Sequence, residues 1–237
     1  MENLKNIQAE LKKDENRSEL ISHPVLKYLK DEKLTHEEVA IVIGQWYYPL
    51  ANFTFFLASC VAHIKIPAVQ TFLCDILNEE LGCGDPDQSH LKLFESTMVN
   101  AGFSKNEAID AGAFKASIAL VDGYKKAAKT QNTALGFVYA TEVADLAMVS
   151  AIGYSVANLT GKTLRELPWA DIHIQQEPNH VNNVDNSLDV PLGEADSAEI
   201  LRSARLAWKL WVEFFSEIGT HLSIPAGKQY RFAGANA

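Results

Sequence analysis

The chain has 237 residues, with 21 Lys and Arg against 30 Asp and Glu, a formal charge of −9, and 47% hydrophobic residues. This composition excludes disorder as the main state and fits a globular chain with one large core. An acidic chain with no dense block of Lys or Arg lacks the electrostatic footprint of a nucleic-acid binder or of a partner for anionic lipid.

The amino terminus, MENLKNIQAELKKDENR, is too charged for the apolar region of a signal peptide, so a cytoplasmic protein is expected. Thr35 and Glu38 form a capping box in THEE and open a helix that runs through IVIGQWYY, with a kink expected at Pro49. From Ala40 to Ile64 no Asp, Glu, Lys or Arg occurs, a length that could span a bilayer. Gln45, Pro49, Asn52, Thr54, Ser59 and His63 are awkward in hydrocarbon, so a buried core helix is the reading and no membrane is expected.

Pro67 suits a first helical turn, and the helix AVQTFLCDILNEEL stops at Gly82-Cys83-Gly84. Asp85 is expected to cap the next helix, through HLKLFESTMV. Ser104 and Glu107 form a second capping box before a helix reaching about Lys129, and TALGFVYATEVADLAMVSAIGYSV is the next helix. From Thr163 to Ala195, Pro168, Pro178, Pro191 and a cluster of Asn and Asp interrupt the helical pattern, so this stretch is expected to be the loosest. A last helix starts near Asp196, with Ile200, Leu201, Ala204, Ala207, Trp208, Trp211 and Phe215 on one face. Alternating strand-like runs are missing. The expected architecture is all-α: a single domain over residues 1–237, its core about 20–222, built as a bundle of about seven helices.

The three cysteines, Cys60, Cys74 and Cys83, show no CxxC spacing and read as reduced thiols. The sharper chemistry lies in DIHIQQEPNHV, where His173, Glu177 and His180 stand at i, i+4 and i+7. On a helix they fall within roughly 60° of one another, so two imidazoles and a carboxylate point the same way. Such a set suits iron, manganese or zinc; the alternative is a solvated polar face. Glu80 ends one helix and His90 enters the next, and Glu142 lies within an apolar run where an unpartnered carboxylate is costly to bury.

Together, Glu80, His90, Glu142, His173, Glu177 and His180 supply three carboxylates and three imidazoles, enough for two metals. Here the sequence resembles the haem-oxygenase-like di-iron oxidases. The match is Glu79-Glu80-Leu81-Gly82, then Ser89-His90-Leu91-Lys92-Leu93-Phe94, then Glu142, then His173-x3-Glu177-x2-His180, and it spans roughly residues 20–222. Glu177 stands where many relatives carry Asp, the loop from Glu80 to His90 is longer than in the shortest members, and Pro178 falls inside the last motif. A segment 163–195 that metal binding orders is therefore expected.

The resemblance implies a haem-oxygenase-like bundle, two Fe(II) ions as cofactor, and O2 as co-substrate bound between them as a peroxo species. It also implies a small-molecule substrate, with amino acids, amines and fatty acids as the class. Tyr48, Phe55, Phe137, Tyr139 and Asp145 are candidate substrate-binding residues, and Trp46, Tyr47, Tyr48, Phe53, Phe55 and Phe56 with Phe137 and Tyr139 offer an aromatic wall for a large flat side chain. The most specific expectation is a nitrile-forming enzyme acting on a tryptophan-type amino acid; a lysine- or fatty-acid-cleaving oxidase would use the same six ligands. Other readings are a thiaminase-like hydrolase with a cysteine nucleophile, a haem enzyme with His23 as axial ligand, and a non-catalytic metal-binding or interaction protein. Exposed aromatic faces make a homodimer an expectation as well.

Overall fold

The computed structural model describes residues 2–190 and 194–222. Among them are eleven α-helices and two single 3₁₀ turns, and no strand. The helices are α1 (Glu2–Lys12), α2 (Glu15–Ile21), α3 (Pro24–Asp31), α4 (His36–His63), α5 (Pro67–Glu80), α6 (His90–Asn100), α7 (Lys105–Ala108), α8 (Lys115–Ala127), α9 (Gln131–Thr160), α10 (Pro168–Leu188) and α11 (Glu194–His221). The fold is all-helical and haem-oxygenase-like.

The capping box at Thr35 and Glu38 forms as the sequence dictates, and α4 runs unbroken past Pro49 to His63. The buried central helix is α9, which packs against α11, α10, α3 and α4. It is apolar on nearly every side, as a helix surrounded by others must be. It is also long and apolar enough to cross a bilayer, but 72% of its most apolar stretch is buried inside the fold. Gly136 lets α11 approach closely: a Cβ there would meet the Ile200 carbonyl oxygen at 2.2 Å. Across the same contact the Trp208 indole N–H donates to the Ala140 carbonyl at 2.9 Å. Ile200, Ala204, Ala207, Trp208, Trp211 and Phe215 are buried along this face of α11, with Leu201 half-buried at its edge.

Several expectations need correction. The helices outnumber the expected seven because the amino-terminal region folds into three of them. Asp14 caps α2, and His23 caps α3 ahead of Pro24. Ile7 and Leu11 on α1 are buried, so the core begins before residue 20. Asp85 caps only the 3₁₀ turn Pro86–Gln88; α6 starts at His90, with Ser89 at its cap. The Ser104–Glu107 box caps a helix of 4 residues, and the long helix beyond it begins at Lys115.

The largest correction concerns 163–195. Instead of a loose segment, α10 is continuous over 21 residues with Pro178 inside it. Proline removes one backbone donor at a cost of about 3 kcal/mol in a free helix. Here Trp169, Ala170, His173, Glu177, His180, Val184 and Leu188 bury the opposite face, while Pro178 lies on the exposed side. Packing outweighs the local rule. Residues 191–193 lie outside the described residues.

Candidate metal centre

Four helices deliver six side chains to one buried cluster. Glu80 is the last residue of α5, and His90 opens α6 after a turn built on Gly82. Gly82 has φ +86°, and a Cβ there would meet the Asp85 carbonyl oxygen at 2.2 Å and the Ser89 nitrogen at 2.6 Å, so the turn needs glycine. Glu142 comes from the middle of α9, and His173, Glu177 and His180 from successive turns of α10. All six are at most 4% exposed.

They divide into two groups, Glu80–His90–His173 and Glu142–Glu177–His180. Within each, one potential ligand atom per residue lies within 4.8 Å of the others. The His90 Nδ1 is 2.9 Å from Glu80 Oε1, yet out of line for a hydrogen bond. The His180 Nδ1 is 3.1 Å from Glu142 Oε2 and 3.9 Å from Glu177 Oε2. The His90 and His173 rings lie close, with centroids 4.3 Å apart and planes tilted by 48°.

Hydrogen bonds fix the direction of each ring. The His173 Nδ1–H donates to the Trp169 carbonyl at 2.7 Å, which leaves Nε2 as the lone-pair nitrogen. The His90 Nε2–H donates to the Gln176 side-chain oxygen at 2.8 Å and turns Nδ1 toward Glu80. His180 is held through Nδ1, which bonds Glu142 at 3.1 Å; its Nε2 lies 3.2 Å from Glu79 without a hydrogen bond. Asn179 donates to the other oxygen of Glu79 at 2.6 Å, which holds that carboxylate in place. Imidazoles oriented through an occupied outer nitrogen, as in His90 and His173, are characteristic of metal-binding histidines.

The charges are strained in the way that calls for cations. Burial pushes the Glu80 carboxyl up, but His90, with His173 and His180, outweighs it and holds the group at about 2. Burial opposes a charged His90 and a charged His180, but Glu80 raises the first and Glu142 raises the second to about 9. Burial and His90 together hold His173 at about 3. Burial raises Glu142, and it raises Asp145 to about 8 with help from Glu142 and Glu80. Burial and Asp145 push Glu177 far above the carboxylate range. Without metal, protons must therefore neutralise the cluster. Glu142 Oε1, both oxygens of Glu177, and His90 Nδ1 are buried with no hydrogen-bond partner. A buried set of carboxylate oxygens and imidazole nitrogens with unfilled lone pairs fits iron, and manganese or zinc equally well.

Two cavities reach the cluster. The first is narrow, about 20 Å³, lined by Trp46, Phe53, Tyr124 and Trp211 together with Glu80, Glu142, Asp145 and His173. It holds one small molecule such as water or O2. The second, about 430 Å³, opens on the other side of α9, between Glu142, Glu177 and Pro178 and the residues Lys12, Arg17, Tyr139, Val143, Leu146 and Val181.

Of the aromatic wall expected from the sequence, Trp46 and Phe53 line the narrow chamber and Tyr139 the larger cavity, whereas Tyr48, Phe55 and Phe137 line neither. Phe55 is 71% exposed and lines a separate surface groove with Phe56, Ser59 and Lys125. Tyr48 is spent on a hydrogen bond from its hydroxyl to the Ala111 carbonyl. Phe137 is buried against Phe56 and Tyr124, behind the narrow chamber. Tyr139 lines the larger cavity, and Asp145 lines the narrow one. Sequence reasoning missed Gln176, Asn179, Arg17, Tyr124 and Trp211, and took Glu79 only as motif context. Gln176 and Asn179 were open to detection, since both sit on α10 beside the ligand triplet.

The alternative chemistries find less support in the geometry. None of the three cysteines lines either cavity: Cys60 is buried, its thiol pushed up by burial, and Cys74 and Cys83 are exposed. The His23 ring is engaged on both sides, accepting from the Val25 N–H at 3.3 Å and bonding the Ser216 hydroxyl at 3.1 Å.

Residues 41–212 match the sequence pattern of a family described as iron-containing redox enzymes. No curated protein matches the chain. Among solved structures it is similar to a CADD-like protein of unknown function from Nostoc punctiforme, at 17% identity and a TM-score of 0.74, covering 93% of this chain and 97% of that one. A domain of unknown function with a haem-oxygenase-like fold from Shewanella denitrificans matches at 16% identity and a TM-score of 0.70, covering 97% and 96%. A TenA homologue from Pyrococcus furiosus matches at 16% identity and a TM-score of 0.69, covering 90% and 98%. At these identities the likeness is one of fold.

Proposed function

The chain belongs to the family of iron-containing redox enzymes, and on that footing we propose that it is a non-haem di-iron enzyme that uses O2 to oxidise a small amino-acid-type substrate. The observation that carries this reading is the pair of buried three-residue groups, Glu80–His90–His173 and Glu142–Glu177–His180. Each would hold one iron, with Glu142 bonded to His180 and lining the narrow chamber. When bound, a pair of ferrous ions supplies the electrons and open positions that O2 reduction requires.

The protein's own contribution is positional and electrostatic. Gln176 and the Trp169 carbonyl hold the His90 and His173 imidazoles in one orientation. Trp46, Phe53, Tyr124 and Trp211 keep bulk water out of the narrow chamber. Asp145 belongs to neither group of three, and its carboxyl is set to hold or release a proton beside Glu177. The most specific form of the proposal is conversion of the aminopropionate arm of a tryptophan-type amino acid to a nitrile, with cleavage of lysine or a fatty acid as the alternative within the class.

The fold likeness to a TenA homologue favours a second reading, a thiaminase-like hydrolase. It lacks a nucleophile here, because no cysteine lines either cavity at the cluster. Anaerobic loading with ferrous iron, followed by O2 and a panel of amino acids and fatty acids, separates the two. Substrate-dependent O2 uptake is expected. Thiamine cleavage by metal-free protein, with no O2 uptake on any substrate, would overturn the proposal.

A further inference from the structure

The larger cavity carries a cation with no partner. Arg17, on α2, lines it, and its Nε is buried with no hydrogen-bond partner. Glu10, Asp14 and Asp185 are taken by other cations, and Glu142 and Glu177 belong to the metal cluster at the far end of the cavity. Arg205 takes Asp14 at 2.6 Å and Glu10 at 2.9 Å, and Lys12 takes Asp185 at 2.9 Å. A half-buried arginine whose Nε faces a cavity unpaired is the side chain best shaped to grip a carboxylate with two parallel N–H bonds.

The rest of the cavity complements such a ligand. Tyr139, Val143, Leu146, Pro178 and Val181 give apolar walls, and the far end closes on Glu142 and Glu177. About 430 Å³ lies within the range of small-molecule sites, whereas the narrow aromatic chamber admits only an O2-sized molecule. The two cavities therefore divide the work between organic substrate and gas.

We propose that Arg17 is the carboxylate anchor of the substrate site, and that the substrate is a carboxylate with an apolar body that enters through this cavity toward Glu142 and Glu177. The assignment rests on the di-iron reading for the identity of the far end, and on the cavity and its unpaired arginine for the rest. Lys12 at the rim is paired with Asp185 at 2.9 Å and takes no part in the anchor.

Equilibrium binding to the anaerobic, iron-loaded protein tests this without turnover. The probes are L-tryptophan, indole-3-propionate, L-lysine and dodecanoate, each paired with its counterpart lacking the carboxylate: tryptamine, 3-ethylindole, cadaverine and dodecanol. At least one carboxylate is expected to bind about 10-fold or more tightly than its counterpart. R17Q is expected to remove that preference, R17K to keep part of it, and K12Q to change it little, all with wild-type helicity and iron content. The inference is overturned if no carboxylate is preferred in the wild type, or if R17Q weakens both members of a pair equally. Iron content measured on the same samples keeps the two readings apart. Two irons with no carboxylate preference overturns the anchor alone, whereas an Arg17-dependent preference in a chain that holds no iron overturns the di-iron reading alone.

Discussion

The His180 Nδ1 stands 3.1 Å from Glu142 Oε2 across the interface of α9 and α10, with both side chains at most 2% exposed. Burial raises Glu142, while Glu142 in turn raises His180 to about 9 against the opposing effect of burial, so in the absence of metal a proton sits between them. Against the effect of burial, His90 and Glu80, 2.9 Å apart, shift one another in the same sense, Glu80 raising His90 and His90 lowering Glu80. Protons stand where cations would go.

Metal binding must therefore expel protons. Calorimetric titration of the metal-free protein with manganese(II) at pH 7, in two buffers of different ionisation enthalpy, is expected to show release of about two or more protons per chain. Because His180 titrates near 9 and Asp145 near 8, affinity should weaken steadily as pH falls from about 9. A heat that does not depend on the buffer would contradict this.

Gln176 acts through His90 by accepting its Nε2–H at 2.8 Å. Gln176→Leu is expected to lower metal affinity by about 10- to 100-fold, the usual effect of removing such a partner, with the fold intact. Gln175→Leu, which loses only an exposed bond to Asp171, is the control and should leave affinity unchanged.

The sequence made the triplet on α10 legible because its spacing is local: His173, Glu177 and His180 share a helix face whatever surrounds them. Their meeting with Glu80, His90 and Glu142 is a tertiary fact that only the resemblance supplied. The aromatic wall was misjudged through helix phase. On α4, Trp46, Leu50, Phe53 and Phe56 recur at helical spacing and face inward, while Phe55 falls between them and points to solvent. Pro178 misled because its local penalty is real and the packing that offsets it is distant in sequence. Arg17 gave no local signal, since its lack of a partner depends on Arg205 and Lys12 having taken the nearby acids.

His23 gives a second pH dependence, independent of metal. Burial holds its ring at about 4, against an ordinary value of 6.5. The unfolded chain takes up a proton that the folded one refuses. This contribution is thus fully present above about pH 6.5 and is lost as pH falls toward 4, to a total of about 3 kcal/mol. His173 acts in the same sense, so the comparison is between wild type and His23→Gln. From pH 7 to 4.5, urea unfolding should show the wild type losing up to about 3 kcal/mol more than the variant; equal losses would refute the assignment.

The contact of α9 with α11 leaves no room at Gly136. Gly136→Ala places a Cβ 2.2 Å from the Ile200 carbonyl and 3.0 Å from the Ala204 nitrogen, both backbone atoms that cannot rotate away. Thermal unfolding should show a loss of about 1–3 kcal/mol, or a fall in Tm of about 2–10 °C. An unchanged Tm would mean that the two helices are not in this contact.

The central claim is a two-metal centre built from two groups of three side chains. Its most direct measurement is Mössbauer spectroscopy with iron quantitation on protein loaded anaerobically with ferrous iron, for the wild type, His173→Ala and His180→Ala. The account predicts close to two irons per chain in the wild type, with each variant losing one of two distinguishable sites. A single iron per chain, or two irons that survive both substitutions unchanged, would contradict it.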